Sequence, residues 1–241
     1  MEYEAPKSRC LLCDSEYTGR GIGRHLSSCI KKKLAGGGGN ELAGNYYHIA
    51  VQAAYDRDFF LHLLVSCNTT LEELDDFLRK IWLECCGHMS AFSRGKWREE
   101  LNLSSRVKDI AREGDVLLYQ YDFGSTTELL IKFAKVYRQV ARGKENIQVL
   151  ARNAQPIVPC DECGKYPAVN ICTECQWDGG GWLCEKCSHN HECGDEMFLP
   201  VVNSPRAGVC AYRGEIEERP IPKHLKAAIQ AGKKGKIVPI K

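Results

Sequence analysis

Residues 46–53 and 59–66 are crowded with β-branched and aromatic side chains, the composition of strands. The period then changes. Leu71, Leu74, Leu78 and Trp82 recur at helical spacing, and Thr70-Leu71-Glu72-Glu73 fits a capping box in which Glu73 reaches back to the cap. A short helix over 106–112 closes at Glu113-Gly114, and 116–123, 127–137 and 147–151 read as three further strands. Helices and strands do not alternate strictly, so the pattern predicts an α+β core and not a doubly wound parallel sheet.

The run Ala35-Gly36-Gly37-Gly38-Gly39-Asn40 reads as a flexible linker. It divides the chain into a short N-terminal module (6–33), the linker (34–44), the α+β segment (45–155), a cysteine-rich segment (156–212) and a basic tail (213–241). No repeat suggests a solenoid. No stretch of eighteen apolar residues occurs and the start, Met1-Glu2-Tyr3-Glu4, has no apolar run, so the expectation is a cytoplasmic protein in a reducing compartment. Disulfides do not persist there, and fourteen cysteines then point to metal. The formal charge of +2 hides an asymmetry: residues 219–241 hold seven basic residues and no acidic ones, whereas 160–199 hold eight acidic residues against Lys165 and Lys186. Those two regions suit different partners.

Cys10-x2-Cys13-x11-His25-x3-Cys29 has the spacing of a zinc finger. A two-residue gap lets one tight turn present two thiolates, and His25 and Cys29, four apart, share a helix face. Tyr17, Ile22 and Leu26 fall where such a finger places its small apolar core. Arg20, Arg24 and Ser27 occupy the other face and Lys31-Lys32-Lys33 follow, so Arg20, Arg24, Lys31, Lys32 and Lys33 are the candidate nucleic-acid contacts, acting mostly on phosphates. Lys223, Lys226, Lys233, Lys234 and Lys236 form a second basic cluster in the tail.

The second metal signal is Cys160-x2-Cys163-x8-Cys172-x2-Cys175-x8-Cys184-x2-Cys187-x3-His191-x-Cys193, eight ligands for two closed sites. Sequential pairing would crowd Cys184, Cys187, His191 and Cys193 round one ion. Crossed pairing joins Cys160 and Cys163 to Cys184 and Cys187, and Cys172 and Cys175 to His191 and Cys193, with longer loops, and is favoured. His189 is an alternative to His191. The ligand spacing resembles B-box and ZZ cross-brace interaction domains. With the finger this makes about three zinc ions. Four protein ligands leave no position for a water nucleophile, which makes these zincs structural. The acidic surface of 160–193 suits a protein partner better than phosphate.

In the α+β segment, His88, Tyr121 and Asp122 are the candidates for an acid/base unit. The plainer reading, which is preferred, packs Tyr121 and Phe123 on the sheet and uses Asp122 to cap the Gly124 turn. No nucleophile motif or phosphate loop accompanies them, so no catalytic residue and no small-molecule substrate are expected. Cys67, Cys85, Cys86 and Cys210 remain; Cys85 and Cys86, adjacent at a helix end, read as buried small hydrophobes.

Tyr119-Gln120-Tyr121-Asp122-Phe123-Gly124 following Gly114-Asp115, and Thr69-Thr70-Leu71-Glu72-Glu73-Leu74, resemble motifs of the plasmid pRiA-four-b ORF-three-like family over about residues 45–150, and Leu199-Pro200-Val201-Val202-Asn203-Ser204-Pro205-Arg206 resembles members that carry the same zinc extension. The resemblance implies a compact α+β domain of prokaryotic origin and no established activity. It departs at Gly87-His88-Met89-Ser90-Ala91-Phe92, which carries one histidine where the family commonly has a His-x-His-x-Phe-like stretch. The function expected from all of this is a non-catalytic zinc-binding accessory protein that engages nucleic acid (DNA or RNA) or a nucleic-acid complex. A protein-interaction adaptor working through 160–193 is the alternative, and an unrecognised enzyme the third reading.

Overall fold

The computed structural model describes residues 6–34, 43–141 and 145–215. The glycine linker and the basic tail lie almost wholly outside them. The chain opens with a hairpin of β1 (Lys7–Arg9) and β2 (Glu16–Thr18), followed by the helix α1 (Gly19–Leu34). The core sheet is built from β3 (Ala43–Ala53), β4 (Phe60–Ser66), β5 (Ser90–Ser93), β6 (Val116–Tyr121), β7 (Thr127–Ala141) and β8 (Ile147–Arg152). Its strand order is β5-β6-β7-β3-β4-β8, and every pairing is antiparallel. Two short helices, α2 (Leu71–Leu78) and α3 (Val107–Ile110), interrupt the strands, and a π-helical turn, Arg79–Leu83, extends α2. The architecture is α+β, as the pattern predicts. The strand at 90–93 is the one core strand the pattern does not suggest, because Ser-Ala-Phe-Ser is too short to display a period.

Alternation along the strands builds two apolar faces. On one, Tyr47, Ile49, Val51, Leu61, Leu63, Tyr119, Ile131 and Phe133 pack against Leu71, Leu74, Leu78 and the fully buried Trp82. The capping box forms as read: Glu73 N–H donates to Thr70 Oγ1 at 3.2 Å and Thr70 N–H to Glu73 Oε2 at 2.8 Å. Cys67 sits in this core as a small hydrophobe.

The other face is covered in part by α1. Ile22, Leu26, Cys29 and Ile30 pack with Tyr46, Phe60, Leu64, Tyr137, Leu150 and Ala151. The finger is thus docked on the sheet by its own helix, whatever the linker does, and Leu11 N–H donates to Leu150 O at 2.8 Å to extend the contact. Close docking explains two glycines: a Cβ at Gly19 would meet Phe60 Cε1 at 2.8 Å, and one at Gly23 would meet His62 Cε1 at 3.3 Å. Beneath Gly23 lies a buried pair, His48 Nε2 and His62 Nδ1, 2.9 Å apart. Burial holds both rings neutral, pushing His48 down to about 4 and His62 to about 3.

Beyond the core, β9 (Asn170–Cys172) lies between β10 (Trp182–Leu183) and β11 (Phe198–Pro200), with α4 (Glu185–His189) packed alongside. A strap, 201–212, then returns to the core. Asn203 exchanges hydrogen bonds with Asn153, its Oδ1 accepting from Asn153 Nδ2 at 2.7 Å and its Nδ2 donating to Asn153 O at 2.9 Å. Ser204 Oγ donates to Trp82 O at 2.6 Å. Arg206 is wholly buried: it donates to Asp122 Oδ2 at 2.6 Å, Ser125 O at 3.0 Å and Thr127 Oγ1 at 3.1 Å. Its guanidinium and that of Arg79 lie 4.8 and 4.9 Å from the Tyr121 ring centroid.

Candidate metal centres

In the finger, the turn between β1 and β2 is closed by Asp14 N–H donating to Cys10 O at 2.7 Å, with Asp14 at φ 62°. It presents Cys10 and Cys13 to His25 and Cys29 on α1, all four donor atoms lying within 4.8 Å of one another. Tyr17 stacks on His25 at 4.1 Å between ring centroids and holds its plane. In the second module the crossed grouping forms: Cys160, Cys163, Cys184 and Cys187 in one group, and Cys172, Cys175, His191 and Cys193 in the other. His191 and not His189 completes the second group. Its Nδ1 faces Glu162 Oε1 at 3.2 Å, which leaves Nε2 toward Cys175 Sγ at 3.4 Å. A carboxylate that fixes a histidine ring in this way is the usual outer partner of a metal ligand, and no spacing rule singles out Glu162 in advance.

Donor spacing tests the fit to zinc. Bonds of about 2.3 Å to sulfur and 2.0–2.1 Å to nitrogen put tetrahedral thiolates about 3.8 Å apart, and thiolate and imidazole about 3.6 Å apart. Cys10 and Cys29 stand 3.9 Å apart, Cys163 and Cys184 3.9 Å, and Cys175 and Cys193 3.6 Å. Cys13 Sγ lies 3.3 Å from His25 Nε2. These distances lie within about 0.3 Å of the edges of such a tetrahedron, so each group could hold one ion. The thiols also divide within each group. A backbone N–H from Ser15 draws Cys13 down to about 6, and one from Lys165 draws Cys163 down to about 6. Burial pushes Cys29 up to about 12, and the proton shared with Cys193 pushes Cys175 up to about 12. One thiolate of a group forms more readily than the last, and a cation among the sulfurs would favour full ionisation.

Among the described residues the structure gathers four groups, not the three expected. Cys85, Cys86 and His88 meet Cys210 from the strap, again within 4.8 Å. Reading Cys85 and Cys86 as buried small hydrophobes is therefore corrected: Cys85 is half-buried, while Cys86 and Cys210 are exposed. The estimate of about three zinc ions rises to four candidate sites. The missed ligand lies 124 residues from Cys86, beyond any local spacing.

His88, Tyr121 and Asp122 do converge. The His88 ring meets Tyr121 edge-on at 5.7 Å, and its Nε2 lies 3.6 Å from Asp122 Oδ2. That same nitrogen is closer to a thiol, 2.9 Å from Cys86 Sγ. Asp122 caps the turn as expected, Oδ1 accepting from Gly124 N–H at 3.0 Å and Ser125 N–H at 3.2 Å. The Arg206 hydrogen bond, ahead of these two, holds its carboxyl down at about 2. Phe123 departs from expectation. It is 48% exposed, because Asp122 at φ 64° turns the chain out of the sheet.

Arg20, Arg24, Lys31, Lys32 and Lys33 are all exposed on α1. At 100° per residue, Arg20, Arg24 and Lys31 fall within about 40° of one another, roughly opposite the side that buries Ile22, Leu26 and Cys29.

The arrangement defines an α+β core with zinc-type Cys/His groups at both ends of the chain and where the strap meets the core. No family model matches the chain, and no curated protein does. Among solved structures, a protein of unknown function from Methanosarcina mazei Go1 is similar over 46% of this chain and 68% of its own, at 14% identity and a TM-score of 0.37. A likeness at that level carries no functional argument.

Among the described residues, no helix is long and apolar enough to cross a membrane.

Proposed function

We propose that this is a zinc-built accessory protein that engages nucleic acid, or a complex containing it, through the basic side of α1. One observation carries the reading: docking of the finger on the sheet turns Arg20, Arg24 and Lys31 outward as one stripe, where a phosphate backbone can reach all three. A cleft of about 760 Å³ beside the start of α1 is lined in part by Arg20, Arg57 and Asp58, which puts two guanidinium groups and one carboxylate next to that stripe. The zincs hold the stripe in place and carry no chemistry, since each group supplies four protein donors. Resemblance of the core to the Ri-plasmid family is retained as part of this proposal and adds no activity to it.

Replacing Arg20, Arg24 and Lys31 by alanine is expected to weaken binding to all sequences alike and to flatten the salt dependence. Each lost phosphate contact removes about 0.9 from the slope of log affinity against log salt on duplex DNA. Fluorescence anisotropy with single- and double-stranded DNA and RNA at several salt concentrations reads this directly. Salt-independent binding, or none by the full-length chain, would overturn the proposal. A specific observation favours the adaptor reading as the second. In the acidic module Trp177 is 72% exposed, Tyr166 57% and Val169 44%, exposed apolar side chains of the kind that protein interfaces use. Trp177→Ala abolishing capture of a protein partner, with nuclease present, is its expected result.

A further inference from the structure

We propose that Cys85, Cys86, His88 and Cys210 hold a fourth zinc ion, and that this ion clasps the strap 201–212 to the core. The inference does not rest on the nucleic-acid reading. It begins from where the four donors come from. Cys85, Cys86 and His88 belong to the turn after the π-helical extension of α2, whereas Cys210 arrives from the strap. An ion among them ties segments that are distant in sequence, unlike the other three groups, whose ligands are local to one module.

Three features fit zinc. First, the four donors converge within 4.8 Å: Cys85 and Cys86 stand 3.5 Å apart, Cys86 and Cys210 3.4 Å, Cys210 Sγ and His88 Nε2 3.6 Å, and Cys86 Sγ and His88 Nε2 2.9 Å, edges that a zinc ion would open slightly. Second, the backbone is bent to make it so. Cys210 takes φ 54°, a left-handed conformation that L side chains adopt at a cost, and Gly87 takes φ 77° between Cys86 and His88. Third, a cation stands beside the sulfurs: three thiolates and one dication sum to −1, and the buried Arg206 guanidinium, which pairs with Asp122 at 2.6 Å, also reaches Cys85 Sγ at 3.6 Å and offsets part of that charge. Sulfur-rich donors with one imidazole select zinc over harder divalent cations, and four protein ligands make the site structural.

The clasp acts where the strap already engages the core. Arg206 reaches Asp122 four residues before Cys210, and Ser204 reaches Trp82 three residues before Cys85. Its position at the surface sets it apart from the other three sites, with Cys86 and Cys210 both exposed. A thiol-alkylating reagent should therefore empty this site first.

The test compares wild-type protein with Cys86→Ser and Cys210→Ser, all purified with reductant and without added metal. Wild type is expected to carry four zinc ions by elemental analysis and each variant three, with faster amide hydrogen exchange across 201–212 and unchanged exchange across 160–193. Equal zinc in wild type and variants would overturn the clasp. A second reading needs no variant. On stepwise alkylation of wild type with iodoacetamide, one equivalent of zinc should leave together with labelling of Cys86 and Cys210, read by peptide mass mapping. Labelling of both without zinc release would overturn the site, and so would zinc release that accompanies only labelling of the finger or cross-brace cysteines.

Discussion

Chelating the zinc is expected to unfold residues 160–200 outright, and Cys172→Ser to do the same while the finger stays folded. The reason lies in what that module has for a core. Its central cluster is Cys160, Cys172, Leu183 and Cys184, with Cys163, Cys175, Cys187 and Cys193 partly buried round them, and the few other buried apolar residues, Ala168, Ile171 and Leu199, lie outside it. Apart from Leu183, Met197 and Phe198 the cluster is its own ligand set. Two- and three-residue strands contribute little independent stability. Structural zinc in small modules is worth about 10–16 kcal/mol per ion, as much as the whole stability of an ordinary domain. The finger differs, because Ile22, Leu26 and Ile30 share a cluster with the sheet and retain apolar burial when the far module is lost. Hydrogen exchange with mass spectrometry distinguishes the two: protection should vanish over 160–200 and persist over 19–34. Persistence over both after complete metal removal would show that the ligand groups are not what holds the module together.

Arg206→Met is expected to destabilise the core by about 3–5 kcal/mol, the usual cost of leaving one partner of a buried ion pair alone. Arg206 is fully buried, its partner Asp122 is 7% exposed, and the same guanidinium stacks on Tyr121. The double variant Arg206→Met with Asp122→Asn should recover part of that loss, since it removes the stranded carboxylate. Urea melts of wild type, Arg206→Met, Asp122→Asn and the double variant measure the coupling. Additive losses would mean that Arg206 acts by packing alone.

These residues also show why the motifs Tyr119–Tyr121–Asp122 and Asn203–Ser204–Arg206 were legible as patterns but not as roles. Tyr119 donates to Asp75 Oδ1 at 2.7 Å, Tyr121 lies between two guanidinium groups, and Asp122 receives Arg206. They are one internal latch, and its two halves lie more than eighty residues apart along the chain, Arg206 and Asp122 by 84. Local signals did better. Helical spacing at Leu71, Leu74 and Leu78, the Thr70 cap and the CxxC knuckles each concern neighbours within one turn, and each appears where the sequence places it. Spacing also supported the crossed grouping of Cys160 to Cys193, because loop length limits which thiols can meet. It gave no hint that Cys210 would join Cys86, nor that His48 and His62 would pair across β3 and β4 beneath the finger. Such contacts follow from strand register and from the return path of the strap, which residue types alone do not encode. The docking of α1 was hidden for a similar reason: its apolar stripe reads equally as the small private core of a free finger.

Metal content tests the central claim most directly, that this fold is assembled on zinc. Full-length protein, purified with reductant and no added metal, should contain four zinc ions per chain by elemental analysis. Three would retain the finger and the cross-brace module without the clasp. One or none, in protein that is folded by circular dichroism, would contradict the account.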